Sequence, residues 1–230
     1  MFFYYTCIAN CSGTSDAECI QRVCLAVSED GLRFRKPFIY QQTFNGSKAN
    51  NIVWPPDGSG ASYGGSAFVD TNPAAPTSER YKMLLTWGDS DHPAGEYALA
   101  SADGIAWKPM STAPAHLGSD SQQTGWWDET LEKYVIYVRN DGFDEQANGG
   151  ARYVARCVTS DLRDWYQSAP PPKPGCTPTE VDPCRMCESV FGPDEVDPVQ
   201  LYTSGATPLG DSATTLFFPT AYRVFDSSSR

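Results

Sequence analysis

The clearest strand pattern in the chain runs from Asp120 to Trp165 and reads DSQQTGWWDETLEKYVIYVRNDGFDEQANGGARYVARCVTSDLRDW. It contains three strand-like runs in succession, Gln123 to Trp127, Lys133 to Arg139 and Arg152 to Thr159, separated by a polar turn and a glycine-rich loop. Runs of aromatic and β-branched residues bounded by such turn signals are typical of hairpins. The stretch therefore predicts an antiparallel meander that ends in a tight turn on a tryptophan.

The closing turn of this meander recurs upstream. SADGIAW at 101–107 matches SEDGLRF at 28–34 closely and TSDLRDW at 159–165 more loosely. Residues 66–107 also repeat the order of strands that precedes the turn in the 120–165 stretch. A unit of short strands repeated along a chain is typical of a β-propeller.

The second strand of each repeated unit is apolar on both of its faces. This holds for RYKMLLTW at 80–87 and for KYVIYVR at 133–139. A sheet needs two apolar faces when it packs between two neighbouring sheets, as radially stacked blades do. We therefore predict an all-β propeller, one domain over residues 1–230, with three to four antiparallel blades at about 1–50, 51–115, 116–170 and 196–230.

Two parts of the chain depart from the repeat. The first unit has no segment that corresponds to the innermost strand, and the fourth stops before its strands are complete, so we expect a propeller truncated at both ends. Residues 167–196 are rich in proline and cysteine. We expect them to form an irregular loop between blades.

Composition excludes several classes of partner. The formal net charge is −11, with 17 Lys and Arg against 28 Asp and Glu, and there is no basic run. A nucleic-acid surface needs clustered cations, so no nucleic-acid partner is expected. No apolar run approaches the roughly 20 residues that span a bilayer, so no membrane insertion is expected. An acidic cleft suits a neutral or a cationic ligand, and carbohydrate is the commonest neutral polymer that it could hold.

The eight cysteines and two sequon-like triplets, Asn10-Cys11-Ser12 and Asn45-Gly46-Ser47, favour an extracellular or secretory-lumen protein with disulfides. Cys24 and Cys157 lie inside strand patterns, which also fits plain buried thiols. A zinc site from Cys176, Cys184 and Cys187 would lack a fourth ligand. Disulfides are the better expectation, and neither a metal nor another cofactor is predicted.

The candidate site residues lie at the leading ends of the innermost strands, which open on the ligand face of a propeller. Glycoside cleavage needs one protonated and one ionised carboxyl group across the bond. Asp120 and Asp197, from neighbouring units, are the candidate catalytic pair, although each could instead cap the entry of a strand. Substrate contacts are expected from four further residues: Asn51, Gln122, Arg139 and Tyr202.

Six segments together resemble a known group: CLAVSEDGLRF, ANNIVWPP, FVDTNPAAPTSERYKM, YALASADGIAW, DSQQTGWWDETLEKYVIYVR and FFPTAYRVF. In this order they resemble the five-bladed β-propellers related to glycoside hydrolase families 32 and 43, in particular family 32 N-terminal-like relatives. The resemblance runs from Met1 to Phe225. It implies five blades, a funnel at the propeller axis and metal-free acid/base hydrolysis, with Asp120 and Asp197 at the positions of blade-entry carboxylates and with Asn51 and Arg139 as substrate contacts.

Two functions remain open at this point. The first is a glycosidase that hydrolyses a glycosidic bond at the axis. The second is a non-catalytic propeller that binds a glycan or a protein. They differ in one feature, because only the enzyme needs two carboxyl groups roughly 5 to 10 Å apart on one face.

Overall fold

The computed structural model describes residues 1–9, 20–55, 62–116, 122–140, 153–165, 187–192, 200–210 and 214–222. The chain forms two compact units, Met1–Ala115 and His116–Arg230. The regular elements in the described ranges are strands apart from one 3₁₀ turn, Thr77–Glu79, which confirms the prediction of an all-β chain. No helix in these ranges has the length and apolarity needed to cross a bilayer.

Unit 1 contains two antiparallel sheets. The first has the order β1-β2-β3, from Phe2–Ala9, Ile20–Val27 and Ile52–Trp54. The second is a four-stranded meander in sequence order, formed by β4 (Ser62–Val69), β5 (Tyr81–Trp87), β6 (Gly95–Ser101) and β7 (Lys108–Pro109). Sequential four-stranded sheets of this kind are the blades of propellers.

Unit 2 repeats the four-stranded meander. Its strands are β8 (Thr124–Asp128), β9 (Lys133–Asn140), β10 (Tyr153–Thr159) and β11 (Glu188–Phe191), again in sequence order. A hairpin of β12 (Gln200–Pro208) and β13 (Thr215–Tyr222) follows. The three strands predicted between 123 and 159 are therefore confirmed to within one residue at each end.

The repeated closing turns have the same hydrogen bonds. In the first turn the Ser28 hydroxyl donates to Asp30 Oδ1 (3.0 Å), which also accepts from the backbone of residues 32 and 33. In the second, Ser101 and Asp103 make the corresponding bonds to residues 105 and 106. Gly31 and Gly104 both have φ of +75°, a conformation that glycine adopts at little cost. The sequence match at 28–34 and 101–107 is thus a structural repeat.

The third closing turn, at residues 159–165, has related hydrogen bonds but no glycine at the position of Gly31 and Gly104. The Thr159 hydroxyl accepts from the backbone N–H of Asp161, and Trp165 Nε1 donates to the Leu162 carbonyl (2.9 Å). Trp107 Nε1 makes the equivalent bond to the Gly104 carbonyl (3.1 Å). In both turns the buried indole donates its single N–H to a backbone carbonyl three residues earlier.

Both faces of the second strands are buried, as the apolar pattern predicts. Met83, Leu84 and Leu85 are consecutive, so they point to alternate faces, yet each is at most 2% exposed. Val135, Ile136 and Tyr137 in β9 are also consecutive and buried, at 1%, 0% and 7% exposed. The core of unit 1 forms around one face of β5 and contains Val23, Leu25, Val53, Trp54, Met83, Leu85, Trp87, Tyr97, Leu99 and Trp107.

The structure confirms the expected disulfides, excludes one alternative for two cysteines and corrects the expectation for residues 167–196. Cys24 and Cys157 are not plain thiols, since disulfides join Cys7 to Cys24 and Cys157 to Cys187. The segment 167–196 is not irregular throughout, because its described part contains β11. The second disulfide joins β10 to the residue that precedes β11, and this tether holds a strand of only four residues against the sheet edge.

Candidate active site

Gln122 and Arg139 lie at the same end of the β8–β11 sheet. β8 pairs with β9 from Thr124 opposite Tyr137 to Asp128 opposite Lys133. Gln122 lies two residues before Thr124 and Arg139 two residues after Tyr137, so both flank the same end of this pairing. The strand register therefore brings these two predicted substrate contacts to the entry end of the innermost strand.

Arg139 carries a buried positive charge at that end. Its side chain is 2% exposed. A guanidinium group stays protonated in proteins, so burial does not remove the charge, and a desolvated charge is costly unless polar or anionic groups surround it. The fold therefore buries a permanent cation at this end of the sheet.

The two glutamines before β8 have different environments. Gln122 is exposed and has a φ of +58°, an uncommon conformation for a residue with a side chain. Gln123 is fully buried. Sequence reasoning chose Gln122 and missed Gln123, because the doubled glutamine does not reveal which of the two side chains turns inward.

Tyr202 occupies an irregular position in β12. The pairing of β12 with β13 shifts register between Leu201 and Thr203, so Tyr202 is the additional residue of a β-bulge. Bulges change the direction of a strand locally and are common beside functional sites. The predicted substrate contact of Tyr202 stays a prediction.

The Asn51 side chain forms hydrogen bonds within unit 1. Its Nδ2 donates to the Tyr5 hydroxyl (3.0 Å) and to the Leu25 carbonyl (2.8 Å), which uses both N–H bonds of the amide. Its backbone carbonyl also accepts from Leu25 (2.9 Å). A substrate contact from Asn51 would therefore have to come from its Oδ1.

The predicted catalytic pair lies outside the described residues, so Asp120 and Asp197 remain predictions. Two described aspartates open turns: Asp70 Oδ1 accepts from the backbone of Asn72 (3.0 Å), and Asp128 Oδ1 accepts from the backbone of residues 130 and 131.

Asp70 also forms a buried ion pair. Its carboxylate lies 2.9 Å from Lys82 Nζ, and the side chains of these two residues are 0% and 1% exposed. Lys82 Nζ in addition donates to the Glu79 carbonyl and lies 3.5 Å from the Glu79 carboxylate. The pair connects the turn after β4 to β5.

Asp89 and His92 form a pair that sequence reasoning did not identify. Asp89 Oδ1 is 2.8 Å from His92 Nδ1 and accepts from the backbone of residues 91 and 92. Loss of hydration raises the pKa of Asp89, but the hydrogen bonds from His92 and Asp91 outweigh it and hold the pKa below its usual value. With Nδ1–H donated to Asp89, the neutral imidazole has its acceptor at Nε2.

The Asp89–His92 pair lies in the hairpin loop that joins β5 to β6. The imidazole packs on Trp87 with ring centroids 4.5 Å apart, and Trp87 pairs with Ser62 at the start of β4. The loop therefore occupies the entry end of the innermost strand in this sheet, as Gln122 does in the other. The spacing D-x-x-H could have indicated this pair from the sequence, but the same spacing is common in polar turns.

One group of metal-ligating residues exists in the described part of the chain. His116, Cys157 and Cys187 are buried, and their ligand atoms lie within 4.8 Å of one another. The two sulfurs are joined in a disulfide, however, and only a thiolate coordinates a metal strongly. In this form the group is a disulfide beside an imidazole that packs on Trp165 (5.7 Å between ring centroids).

Comparisons with known proteins give a structural likeness alone. No protein-family model and no curated protein sequence matches the chain. A GH32 β-fructofuranosidase of Bombyx mori in complex with sucrose is similar over 91% of this chain, with 12% identity and a TM-score of 0.47. A structure described as a glycoside hydrolase is similar over 91%, with 15% identity and a TM-score of 0.49.

The chain spans 38% and 56% of the lengths of these two proteins. The first of them belongs to the glycoside hydrolase family that the sequence motifs resemble. At these identities and TM-scores, neither a catalytic activity nor a substrate follows from the likeness.

Proposed function

We propose that the protein hydrolyses a glycosidic bond, with Asp120 and Asp197 as the acid/base pair and with Gln122, Arg139, Tyr202 and Asn51 Oδ1 as substrate contacts. The observation that supports this proposal is the buried guanidinium of Arg139 at the entry end of β8. Asp120 precedes that end by a few residues. We assign Asp120 as the ionised member of the pair and Asp197 as the protonated one.

The chemistry then divides between the two carboxyl groups. Protonated Asp197 donates its proton to the glycosidic oxygen, and the bond to the anomeric carbon breaks. Ionised Asp120 either takes a proton from the attacking water or attacks the anomeric carbon itself and is released by water in a second step. In the first route the proton that Asp120 takes from water is released to solvent and Asp197 is reprotonated from solvent. In the second, ionised Asp197 takes the proton of the water that releases the intermediate. Either route consumes one water and restores both carboxyl groups.

The experiment is a turnover assay on a panel of nitrophenyl glycosides and unmodified oligosaccharides. Asp120→Asn and Asp197→Asn keep the shape of each side chain, and each is expected to lower kcat by roughly 10²- to 10⁴-fold. Asp91→Asn is the matched control, because Asp91 is an exposed aspartate in a loop. Full activity in both site variants refutes the assignment.

A binding function is the second candidate, and exposed aromatic side chains favour it. Phe38 and Tyr40 are 65% and 60% exposed, and their rings lie 6.3 Å apart. Aromatic faces of this kind stack on sugars or pack against a protein. Glycan binding that survives Asp120→Asn but weakens in Phe38→Ala, without turnover by the unmodified protein, would select this function.

We also propose that the protein works outside the cell or in the secretory pathway. The two disulfides of the described residues support this location, since such bonds persist in oxidising compartments.

A further inference from the structure

A two-residue turn in unit 1 contains an acceptor sequence for N-linked glycosylation. Asn45-Gly46-Ser47 has the Asn-x-Ser spacing, and glycine is an allowed central residue. The triplet lies between β2 and β3, within the described part of the chain. The other triplet, Asn10-Cys11-Ser12, lies outside the described residues. Only the geometry of the first can therefore be compared with what a glycan needs.

The backbone of this turn is closed by two hydrogen bonds. The N–H of Phe44 donates to the Ser47 carbonyl (2.9 Å), and the N–H of Ser47 donates to the Phe44 carbonyl (3.1 Å). Asn45 and Gly46 between them have φ of +49° and +77°. Positive φ at both central residues defines a type I′ turn, in which asparagine followed by glycine is a preferred pair. The acceptor asparagine thus lies at the tip of a tight turn.

The turn is also bonded to the segment that follows it. Asn50 Nδ2 donates to the carbonyls of Gln42 (2.8 Å) and Ser47 (3.1 Å). The Ser47 hydroxyl accepts from the N–H of Ala49 (3.1 Å). The Asn45 side chain takes part in none of these bonds and has no hydrogen bond within the described ranges. A substituent on Asn45 Nδ2 would therefore leave the hydrogen bonds of the turn intact.

Open space surrounds the tip of the turn. Asn45, Gly46 and Ser47 are all exposed. A Cβ placed on Gly46 would meet no atom within 4 Å. An N-linked glycan is a bulky group that needs a surface position of this kind. The turn therefore has room for a glycan without displacement of the fold.

An aromatic ring lies directly before the acceptor. Phe44 is the single aromatic residue of the polar segment 41–50, and it is only partly buried. A partly exposed aromatic ring offers an apolar face to a neighbouring group. The C–H groups on one face of a sugar ring are a suitable partner for it. A sugar attached to Asn45 would thus have an apolar surface one residue away.

We propose that Asn45 carries an N-linked glycan and that the first sugar packs on the Phe44 ring and stabilises the turn. The inference rests on the proposed secretory location, because the donor sugar is available in that compartment. In the transfer, Asn45 Nδ2 forms a bond to C1 of the first sugar of a lipid-linked pyrophosphate donor. The bond from C1 to the pyrophosphate oxygen breaks, its electron pair leaves with the lipid pyrophosphate, and Nδ2 loses one proton.

The first test is made on the protein isolated from the cells that produce it. Cell fractionation and mass spectrometry of the peptide that contains residues 41–50 are expected to find the protein in the secretory fraction or the medium, with a glycan on Asn45. Protein in those fractions with unmodified Asn45 overturns the glycan and leaves the location intact. Protein confined to the cytosol overturns both.

The second test measures the contact with Phe44. The 230-residue chain is produced with Asn10→Gln, which leaves Asn45 as the remaining sequon, in a glycosylating secretory host and in a bacterial periplasm, which forms disulfides but adds no such glycan. In urea denaturation the glycan is expected to lower the equilibrium constant for unfolding by roughly twofold or more.

Phe44→Leu is the matched variant, because it keeps an apolar side chain and removes the ring. The glycan is expected to have a clearly smaller effect on its stability than on that of the protein with Phe44. Each glycosylated protein is compared with its own unglycosylated form, so any destabilisation by the substitution itself cancels. An equal effect in the two proteins, or no effect in either, overturns the proposed contact.

Discussion

Replacing Gly104 by alanine should destabilise the protein far more than replacing Gly31, although both glycines occupy the same position in equivalent turns. Each has a φ of +75°. The environments differ: a Cβ at Gly104 would lie 2.6 Å from the Tyr4 hydroxyl and 2.9 Å from a ring carbon of Phe2. At Gly31 the nearest atom is Met1 Cε at 3.3 Å, the end of a flexible side chain.

The expected sizes follow from two contributions. A left-handed conformation costs a residue with a Cβ about 1–2 kcal/mol, and this contribution is common to the two variants. In Gly104→Ala, displacing Tyr4 also breaks its hydrogen bond to the Gly104 carbonyl and disturbs its packing on Trp107, which adds about 1–3 kcal/mol. We expect losses of about 1–2 kcal/mol for Gly31→Ala and about 2–5 kcal/mol for Gly104→Ala.

The assay is urea denaturation with the slope of each transition compared between variants, so that a change in midpoint reports stability. Tyr4→Phe removes the hydroxyl that the new Cβ would meet, and in a double-mutant cycle it should cost less in the Gly104→Ala background than alone. Equal losses for the two glycine variants, or strict additivity with Tyr4→Phe, would show that the contact with Tyr4 does not limit the turn.

Three further predictions concern the framework. Lys82→Met should lower the free energy of unfolding by about 3–5 kcal/mol, because it leaves the Asp70 carboxylate buried without its cation. Adding Asp70→Leu should restore part of this loss in the same denaturation assay, and a larger loss in the double variant would contradict the prediction. Replacing both Cys7 and Cys24 by serine should lower the free energy of unfolding by about 3 kcal/mol relative to the oxidised protein, since the disulfide closes a loop with a sequence separation of 17. An unchanged stability would show that the disulfide does not constrain the unfolded chain. Desolvation raises the pKa of Asp103, but hydrogen bonds from the turn outweigh it and hold the pKa below its usual value. The ionised carboxylate therefore stabilises the fold above the unfolded-state pKa near 4, and this contribution is lost on acidification. Between about pH 5 and pH 2.5, Asp103→Asn should lose less stability than the unmodified protein, and parallel pH profiles of the two proteins would refute the link.

The strands and closing turns could be predicted because their determinants are local. In the turns, the Ser28 and Ser101 hydroxyls and the Asp30 and Asp103 carboxylates bond to groups two or three residues away, so short motifs show them directly. The burial of both faces of β5 and β9 also follows from a simple alternation of apolar residues.

Other features depend on which strands become neighbours. β11 contains only four residues and owes its place to a disulfide that joins positions 157 and 187. The Asp89–His92 pair was missed because its spacing occurs in many polar loops, and its place beside Trp87 follows from the pairing of β5 with β4 and β6. For the site itself, sequence reasoning proposed Gln122 and Arg139, and the register of β8 with β9 brought them to one end of a sheet.

The all-β class and the repeated meander follow from the amino-acid sequence, because alternation and turn motifs act between residues close in the chain, and the net negative charge follows from composition. The cysteine partners and the Tyr4–Gly104 hydrogen bond across 100 residues follow instead from tertiary contacts. Such contacts join segments far apart in sequence. They depend on how whole strands pair and pack, and no local pattern encodes the identity of a distant partner.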